Sequence, residues 1–126
     1  MWHCEALLMA NELIDWLEKR HATIMDYEKV ALTLMNAGDI DGYRKNMREK
    51  AESLANLAAD AQPLLKNLAN GPKIEAPLER FSDSAATALE IDSVFYMSAL
   101  LYPDDYKEGE PDNLALFIAG LKKEQK

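Results

Sequence analysis

Cysteine, glycine and proline are scarce in this sequence, and long apolar runs are absent from it. The single cysteine, Cys4, cannot form an internal disulfide, and five glycines with five prolines are too few for a strand-and-turn architecture. No apolar stretch approaches the roughly 20 residues of a membrane-spanning helix, so we expect no membrane association. The opening residues MWHCEALLMANE have no basic region ahead of their short apolar run, which predicts a cytoplasmic protein.

Basic residues are also few, with 14 Lys and Arg against 22 Asp and Glu and a formal net charge of -8. The segment from Glu75 to Asp112 holds ten acidic residues and only two bases, Arg80 and Lys107, so it carries this net charge by itself. Because nucleic-acid phosphates are bound chiefly by clustered Lys and Arg, we expect no nucleic-acid partner. The length of 126 residues and the 48% hydrophobic content predict one domain over residues 1–126.

Apolar residues recur at the three- and four-residue spacing of a helical face, and no segment alternates with the period of two that marks a strand. The stretch from Trp2 to Ala37 has neither proline nor glycine and predicts one long helix, bent near His21. Its length would be about 50 Å at 1.5 Å per residue. The predicted inward face of this helix consists of Leu13, Leu17, Ile24, Tyr27, Ala31 and Leu34.

A sharp corner is predicted to follow this helix. Gly38 stands where a helix ends with a residue that tolerates positive φ, and Asp39 or Asp41 stands where the next helix needs an N-cap. The second helix is predicted to extend to Asn70 and to be kinked or interrupted by Pro63. The first two helices together form a long N-terminal hairpin.

The rest of the chain predicts a linker, two further helices and an acidic loop. Residues 71–77 form the linker, a third helix begins near Pro77 or Ser82 and ends at Tyr102, and residues 103–113 form the loop. A short C-terminal helix follows, with Asp112 at its start. The predicted fold class is therefore all-α, an up-and-down bundle of three main helices plus a short C-terminal helix. Its expected large core side chains are Trp16, Phe81, Phe95 and Phe117.

Motifs for metal binding are incomplete. A calcium loop starting at Asp39 would need a glutamate at its twelfth position, where the sequence has Lys50. Glu18 and His21 have the Glu-x-x-His spacing of di-iron bundles, but no second pair exists, so we expect a solvated histidine loosely paired with Glu18. His3 and Cys4 are too few ligands for a zinc site. We assign no catalytic residue, metal ligand or cofactor.

Two pairs of carboxylates nevertheless leave an enzymatic alternative open. Glu49-x-x-Glu52 and Glu12-x-x-Asp15 resemble the magnesium-binding carboxylates of all-helical nucleotide pyrophosphatases, although the order of the pairs is reversed. Paired carboxylates suit magnesium chemistry on phosphates. The alternative function is therefore a small metal-dependent hydrolase that uses helix carboxylates.

Four bases, Arg44, Lys45, Arg48 and Lys50, lie in the first turns of the second helix, where the helix dipole favours acidic residues instead. One interpretation is a solvated basic face. The other is a partner-binding surface, in which the bases meet the acidic segment, a second subunit or an acidic partner. We take these four as the candidate partner-binding residues.

The hairpin from Tyr27 to Leu65, with Ala37-Gly38-Asp39 at its corner followed by a tyrosine and spaced bases, is loosely similar to flagellar and type III export chaperones. The similarity does not extend to the remaining chain and assigns no family. The sequence best predicts a non-enzymatic interaction or assembly protein, which binds a partner helix or associates with itself. Because the hairpin is longer than the later helices can cover, we expect a homodimer formed along its exposed part.

Overall fold

The computed structural model describes the backbone of residues 2–124 and the side chains of residues 10–124, so Trp2, His3 and Cys4 have no described side-chain environment. The backbone forms six helices and no strand in this range, and the predicted all-α class is confirmed. Within these residues, no helix is both long and apolar enough to cross a bilayer. The helices are α1 (Trp2–Asn36), α2 (Ile40–Ala55), α3 (Leu57–Leu65), α4 (Gly71–Glu90), α5 (Val94–Ala99) and α6 (Asn113–Glu124).

The helices pack around α2. The predicted hairpin is present, since α1 and α2 are joined by a tight corner and pack against each other. The helix α1 is continuous through His21. On its other sides α2 contacts α4 and α5, while α3 packs on α4 and α6 lies against α1. The arrangement is a helical bundle in which α4 and α5 pack on α2, and α6 packs on α1.

The corner between α1 and α2 has the predicted geometry. Gly38 has φ +87°, and the Gly38 and Asp39 amides donate to the carbonyls of Met35 and Leu34 at 3.0 and 2.8 Å, which is a Schellman ending. The Asp39 side chain then accepts from the Gly42 amide at 2.9 Å and caps α2. The stretch that looked like a metal loop is therefore a helix–helix corner.

The second predicted helix is interrupted at Asn56 rather than at Pro63. The Ser82 hydroxyl of α4 donates to the Leu54 carbonyl at 2.9 Å and accepts from the Ala58 amide at 3.0 Å. It thereby bridges the two groups that would bond to each other in a continuous helix, and side-chain insertion of this kind bends helices. Pro63 is tolerated inside α3, which ends two residues later.

The predicted linker at residues 71–77 is wrong, because these residues form the first two turns of α4. Pro72 lies at the start of the helix, where a missing amide hydrogen costs nothing. Ile74 and Leu78, four residues apart, are both buried and hold this part of α4 on the core. Gly71 packs so tightly that a Cβ there would lie 2.5 Å from the Leu65 carbonyl oxygen.

The predicted third helix, continuous to Tyr102, is also divided. Asp92 has φ +51°, and the Asp92 and Ser93 amides donate to the Leu89 and Ala88 carbonyls at 3.1 Å each, so a second Schellman ending closes α4. The Ser93 hydroxyl then caps the short helix α5 by accepting from the Tyr96 amide at 3.2 Å. Aspartate takes the left-handed position that glycine usually occupies, which hid this turn in the sequence.

The interior divides into two groups of buried residues. One, the leucine cluster, involves α1, α2, α3, α4 and α6, and Phe81 and Phe117 pack against it edge to face at 6.1 Å between ring centres. The other, the alanine–methionine cluster, lies under α5. Phe95, expected in the core, is 72% exposed instead. The leucine cluster consists of Leu13, Ile14, Leu17, Ile24, Leu54, Leu57, Ala58, Ala61, Leu65, Ile74, Leu78, Ala85, Leu101, Leu114, Ile118 and Leu121. The alanine–methionine cluster consists of Ala31, Met47, Ala51, Ala88 and Met97.

Candidate interaction surface

Three of the four predicted partner-binding bases share one surface pocket. Arg44, Lys45 and Arg48 line it on the α2 side, and Asp92, Val94 and Met97 close it on the side of α5; its volume is about 270 Å³. The Arg48 guanidinium forms an ion pair with the Asp92 carboxylate. The acidic segment therefore supplies one ion-pair partner, Asp92, for Arg48.

Lys50 does not lie on this surface, and its predicted placement with the other bases is corrected. Its side chain is fully buried, because Lys50 shares the inward face of α2 with Met47 and Leu54. Its Nζ lies 3.6 Å from Glu28 Oε2 and donates to the Ser98 carbonyl at 3.2 Å. The helical spacing of Lys50 from Met47 and Leu54 was a sequence signal for its burial. It was missed because Lys50 was grouped with the neighbouring bases instead of with this apolar face.

Lys50, Glu28 and Tyr102 form a polar layer between the two clusters. The Tyr102 hydroxyl donates to Glu28 Oε2 at 2.7 Å, and Lys50 Nζ lies 5.1 Å from the centre of the Tyr102 ring. Burial lowers the pKa of Lys50 against the opposing effect of Glu28, and burial together with the bond to Glu28 raises the pKa of Tyr102. Because every charge here is held by the chain's own groups, we interpret the layer as structural.

A second buried contact attaches α6 to α1. His21 Nε2 and Asp112 Oδ2 lie 2.7 Å apart, and Asp112 Oδ1 accepts from the Ala115 amide at 2.9 Å, which caps α6. Burial favours the neutral carboxyl of Asp112, but the hydrogen bonds from His21 and Ala115 outweigh it and lower its pKa. The expected pairing of His21 with Glu18 does not form, because Glu18 binds Lys122 at 2.9 Å instead.

The carboxylates of the hydrolase alternative lie mostly on the surface. Glu12, Asp15 and Glu52 are exposed, and Glu49 is half-buried. Across the described part of the chain, no group of three His, Cys, Asp or Glu side chains converges closely enough to hold a metal ion.

An open apolar groove lies between α4 and α5, with a volume of about 590 Å³. Ile91 and Tyr96 at its edge are 54% and 55% exposed, and the neighbouring Phe95 packs its ring edge-on against Tyr96 at 5.7 Å. The apolar residues on either side of Asp92 were a sequence signal for this groove. The signal was missed because the predicted continuous helix would have placed some of these residues in the core. The groove is lined by Ser84, Thr87, Ala88, Ile91, Tyr96, Ala99, Leu100 and Leu101.

These features define a class of protein, an all-helical bundle with a polar interior layer and an apolar groove on its surface. No protein-family model, no curated protein and no solved structure matches the chain. Geometry, burial and charge are therefore the grounds on which a function is proposed.

Proposed function

We propose that this protein is a non-enzymatic interaction module that binds a helix of a partner protein in the α4–α5 groove. The observation that supports it most directly is the exposure of Ile91 and Tyr96 along an apolar, concave surface. Covering such a surface is favourable, since each Å² of apolar area removed from water contributes about 25 cal/mol. The cytoplasmic location expected from the sequence is part of this proposal.

The shape of the groove supports a helix as its occupant. Ser84, Ala88 and Ile91 lie along one face of α4, and the step from Ser84 to Ile91 corresponds to about 10 Å along the helix axis. An incoming helix with apolar residues at positions i, i+3, i+4 and i+7 covers the same length. Its backbone hydrogen bonds are internal, so only side chains need to be accommodated.

Self-association through the α1–α2 hairpin is the second candidate, and exposed apolar side chains near the corner support it. Leu32, Met35 and Ile40 are 48%, 45% and 49% exposed. Val30 is also exposed, but at 100° per residue it lies on nearly the opposite side of α1 from Leu32. Since a dimer interface would cover only one of these sides, we place the α4–α5 groove first.

The hydrolase alternative gains no comparable support. Within the described residues, none of its four carboxylates belongs to a group of three side chains that could hold a metal ion. A magnesium site would need such convergence. We therefore do not develop it further.

The proposal is tested by comparing the proteins captured from the native cytosol by the wild-type chain and by the variant Ile91→Ser/Tyr96→Ser. We expect at least one protein to be enriched by the wild type and lost with the groove variant, and a photo-crosslinker at Thr87 to join a helical segment of it. Leu116→Ser is the matched control, because Leu116 on α6 has the same 54% exposure as Ile91.

Identical captured proteins from the wild type and the groove variant would reject the groove. Light scattering after size-exclusion chromatography tests the second candidate separately, since a monomer mass at micromolar concentration would reject the hairpin homodimer.

A further inference from the structure

The edge of the α4–α5 groove carries a row of acidic side chains. Glu79, Asp83 and Glu90 are exposed. At 100° per residue, they fall on one stripe of α4, directly beside the face that bears Thr87 and Ile91. A helix lying in the groove would have one of its flanks next to these carboxylates. We call Glu79, Asp83 and Glu90 the acidic edge.

The acidic edge has little compensating charge on its own chain. The ion pairs formed within the described residues use other carboxylates, namely those of Glu18, Glu28, Asp60, Asp92 and Asp112. One base, Arg80 on α4, borders the groove at its Ser84 end, since it lines a pocket that shares Ser84 with the groove. Asp83 and Glu90 outnumber it along the part of α4 that flanks the groove. The edge is therefore negative where the groove opens.

The Glu79 carboxyl is influenced mainly by Glu75, which lies one turn before it on α4 and outside the acidic edge, and less by Asp83. The pKa of the Glu79 carboxyl is raised, first by its hydrogen bond with Glu75 and then by the negative charges of Glu75 and Asp83. Like charges that raise each other's pKa in this way are stabilised by an approaching cation. The raised pKa of Glu79 therefore agrees with the position of the acidic edge beside the groove, and both favour a positively charged partner.

We propose that the occupant of the α4–α5 groove is an amphipathic helix of a partner protein with Lys or Arg beside its apolar stripe, placed so that these bases face Asp83 and Glu90. This inference rests on the proposed function and adds the chemistry of the partner. The apolar stripe supplies most of the affinity, because exposed ion pairs contribute little each. The bases supply orientation, selectivity and a faster association.

The test uses three labelled helical peptides that share one leucine stripe and differ only in the flanking residues, which are Lys, Gln or Glu. Binding to the full chain is measured by fluorescence anisotropy at about 50 mM and about 300 mM NaCl, because salt screens exposed charges. We expect the Lys peptide to bind at least ten times more tightly than the Glu peptide at the lower salt concentration. The difference should shrink at the higher one.

Two variants locate the charge effect. Asp83→Asn/Glu90→Gln should remove the preference for the Lys peptide while leaving the Gln peptide's affinity unchanged. Asp104→Asn/Glu108→Gln, which removes the same charge from the loop after α5, should retain the preference. All four positions are exposed, so circular dichroism should show an unchanged fold.

The outcomes separate the two proposals. Equal binding of all three peptides, with loss in Ile91→Ser/Tyr96→Ser, would overturn the basic partner and leave the groove in place. Preference for the Lys peptide that persists in Asp83→Asn/Glu90→Gln would also overturn it. If no peptide binds, or if the groove variant binds as the wild type does, the groove itself is rejected together with the inference that rests on it.

Discussion

The leucine cluster and the alanine–methionine cluster fill the two parts of one bundle with different side chains. The first joins five helices mainly through leucine and isoleucine side chains. The second brings α1, α2, α4 and α5 together through three alanines and two methionines, under a helix of only six residues. Alanine buries little apolar area and methionine adapts its shape easily, so the second cluster gives close packing with little rigidity.

This difference suggests that the leucine cluster contributes most of the stability and that the region around α5 is less rigidly packed. The basic pocket and the apolar groove both border α5, on the side of the alanine–methionine cluster. A short helix is held by its tertiary contacts rather than by its own propensity, so the position of α5 depends on the alanine–methionine cluster, while the leucine cluster keeps the bundle folded. Four predictions test this contrast.

The largest expected effect is on the leucine cluster. Leu57→Ala should lower the free energy of unfolding by about 3 kcal/mol, because a fully buried leucine leaves a cavity that five packed helices cannot close. Met97→Ala should cost less, since its site lies beside an open pocket. Urea unfolding followed by circular dichroism measures both. If Met97→Ala lowers the free energy of unfolding as much as Leu57→Ala or more, the proposed difference between the two clusters is wrong.

The next effect concerns the polar layer between the clusters. Glu28→Gln should lower the free energy of unfolding by about 2 kcal/mol, because it removes the nearest counter-charge of the buried Lys50. Adding Lys50→Met should restore much of this loss by removing the charge itself. Glu12→Gln on the exposed side of α1 is the control and should change little. A double variant no more stable than Glu28→Gln would disprove this account of Lys50.

A smaller, pH-dependent effect is expected where α6 meets α1. Because the pKa of Asp112 is lowered in the fold, its contribution is present above the ordinary value of 3.8 and is lost as the pH falls through the lower folded value. Asp112→Asn should therefore cost about 1 kcal/mol near neutral pH, and this difference from the wild type should diminish in acid. Unfolding curves recorded at several pH values, with Asp104→Asn as control, measure it. A cost independent of pH would refute the linkage.

The smallest effect on stability belongs to the groove. Ile91→Ser should change the free energy of unfolding by less than about 0.5 kcal/mol, because the side chain is more than half exposed. The same substitution should nevertheless abolish partner capture. Thermal unfolding alongside the capture experiment compares the two, with Leu116→Ser as the matched variant. A large loss of stability would mean that Ile91 is a core residue rather than a binding residue.

Local signals in the sequence predicted the corner and the inward face of α1. Gly38 and Asp39 act through their own backbone and nearest neighbours, so their roles can be read from the sequence. The break at Asn56 could not be predicted in this way, because it depends on the Ser82 hydroxyl from another helix. For the candidate site, Arg44, Lys45 and Arg48 do share a pocket, whereas the burial of Lys50 depends on how α2 is turned against α1 and α5.

The sequence by itself determined the helical class, the long N-terminal hairpin and the negative charge of the segment from Glu75 to Asp112, because periodicity, capping and composition act locally. Tertiary structure alone decided where the helices divide, which charges are buried and where apolar side chains remain outside. Those outcomes depend on side chains that are distant in the chain and meet only when the helices pack. The α4–α5 groove is one of them, since it exists only because Asp92 ends α4 and α5 sets off in a new direction.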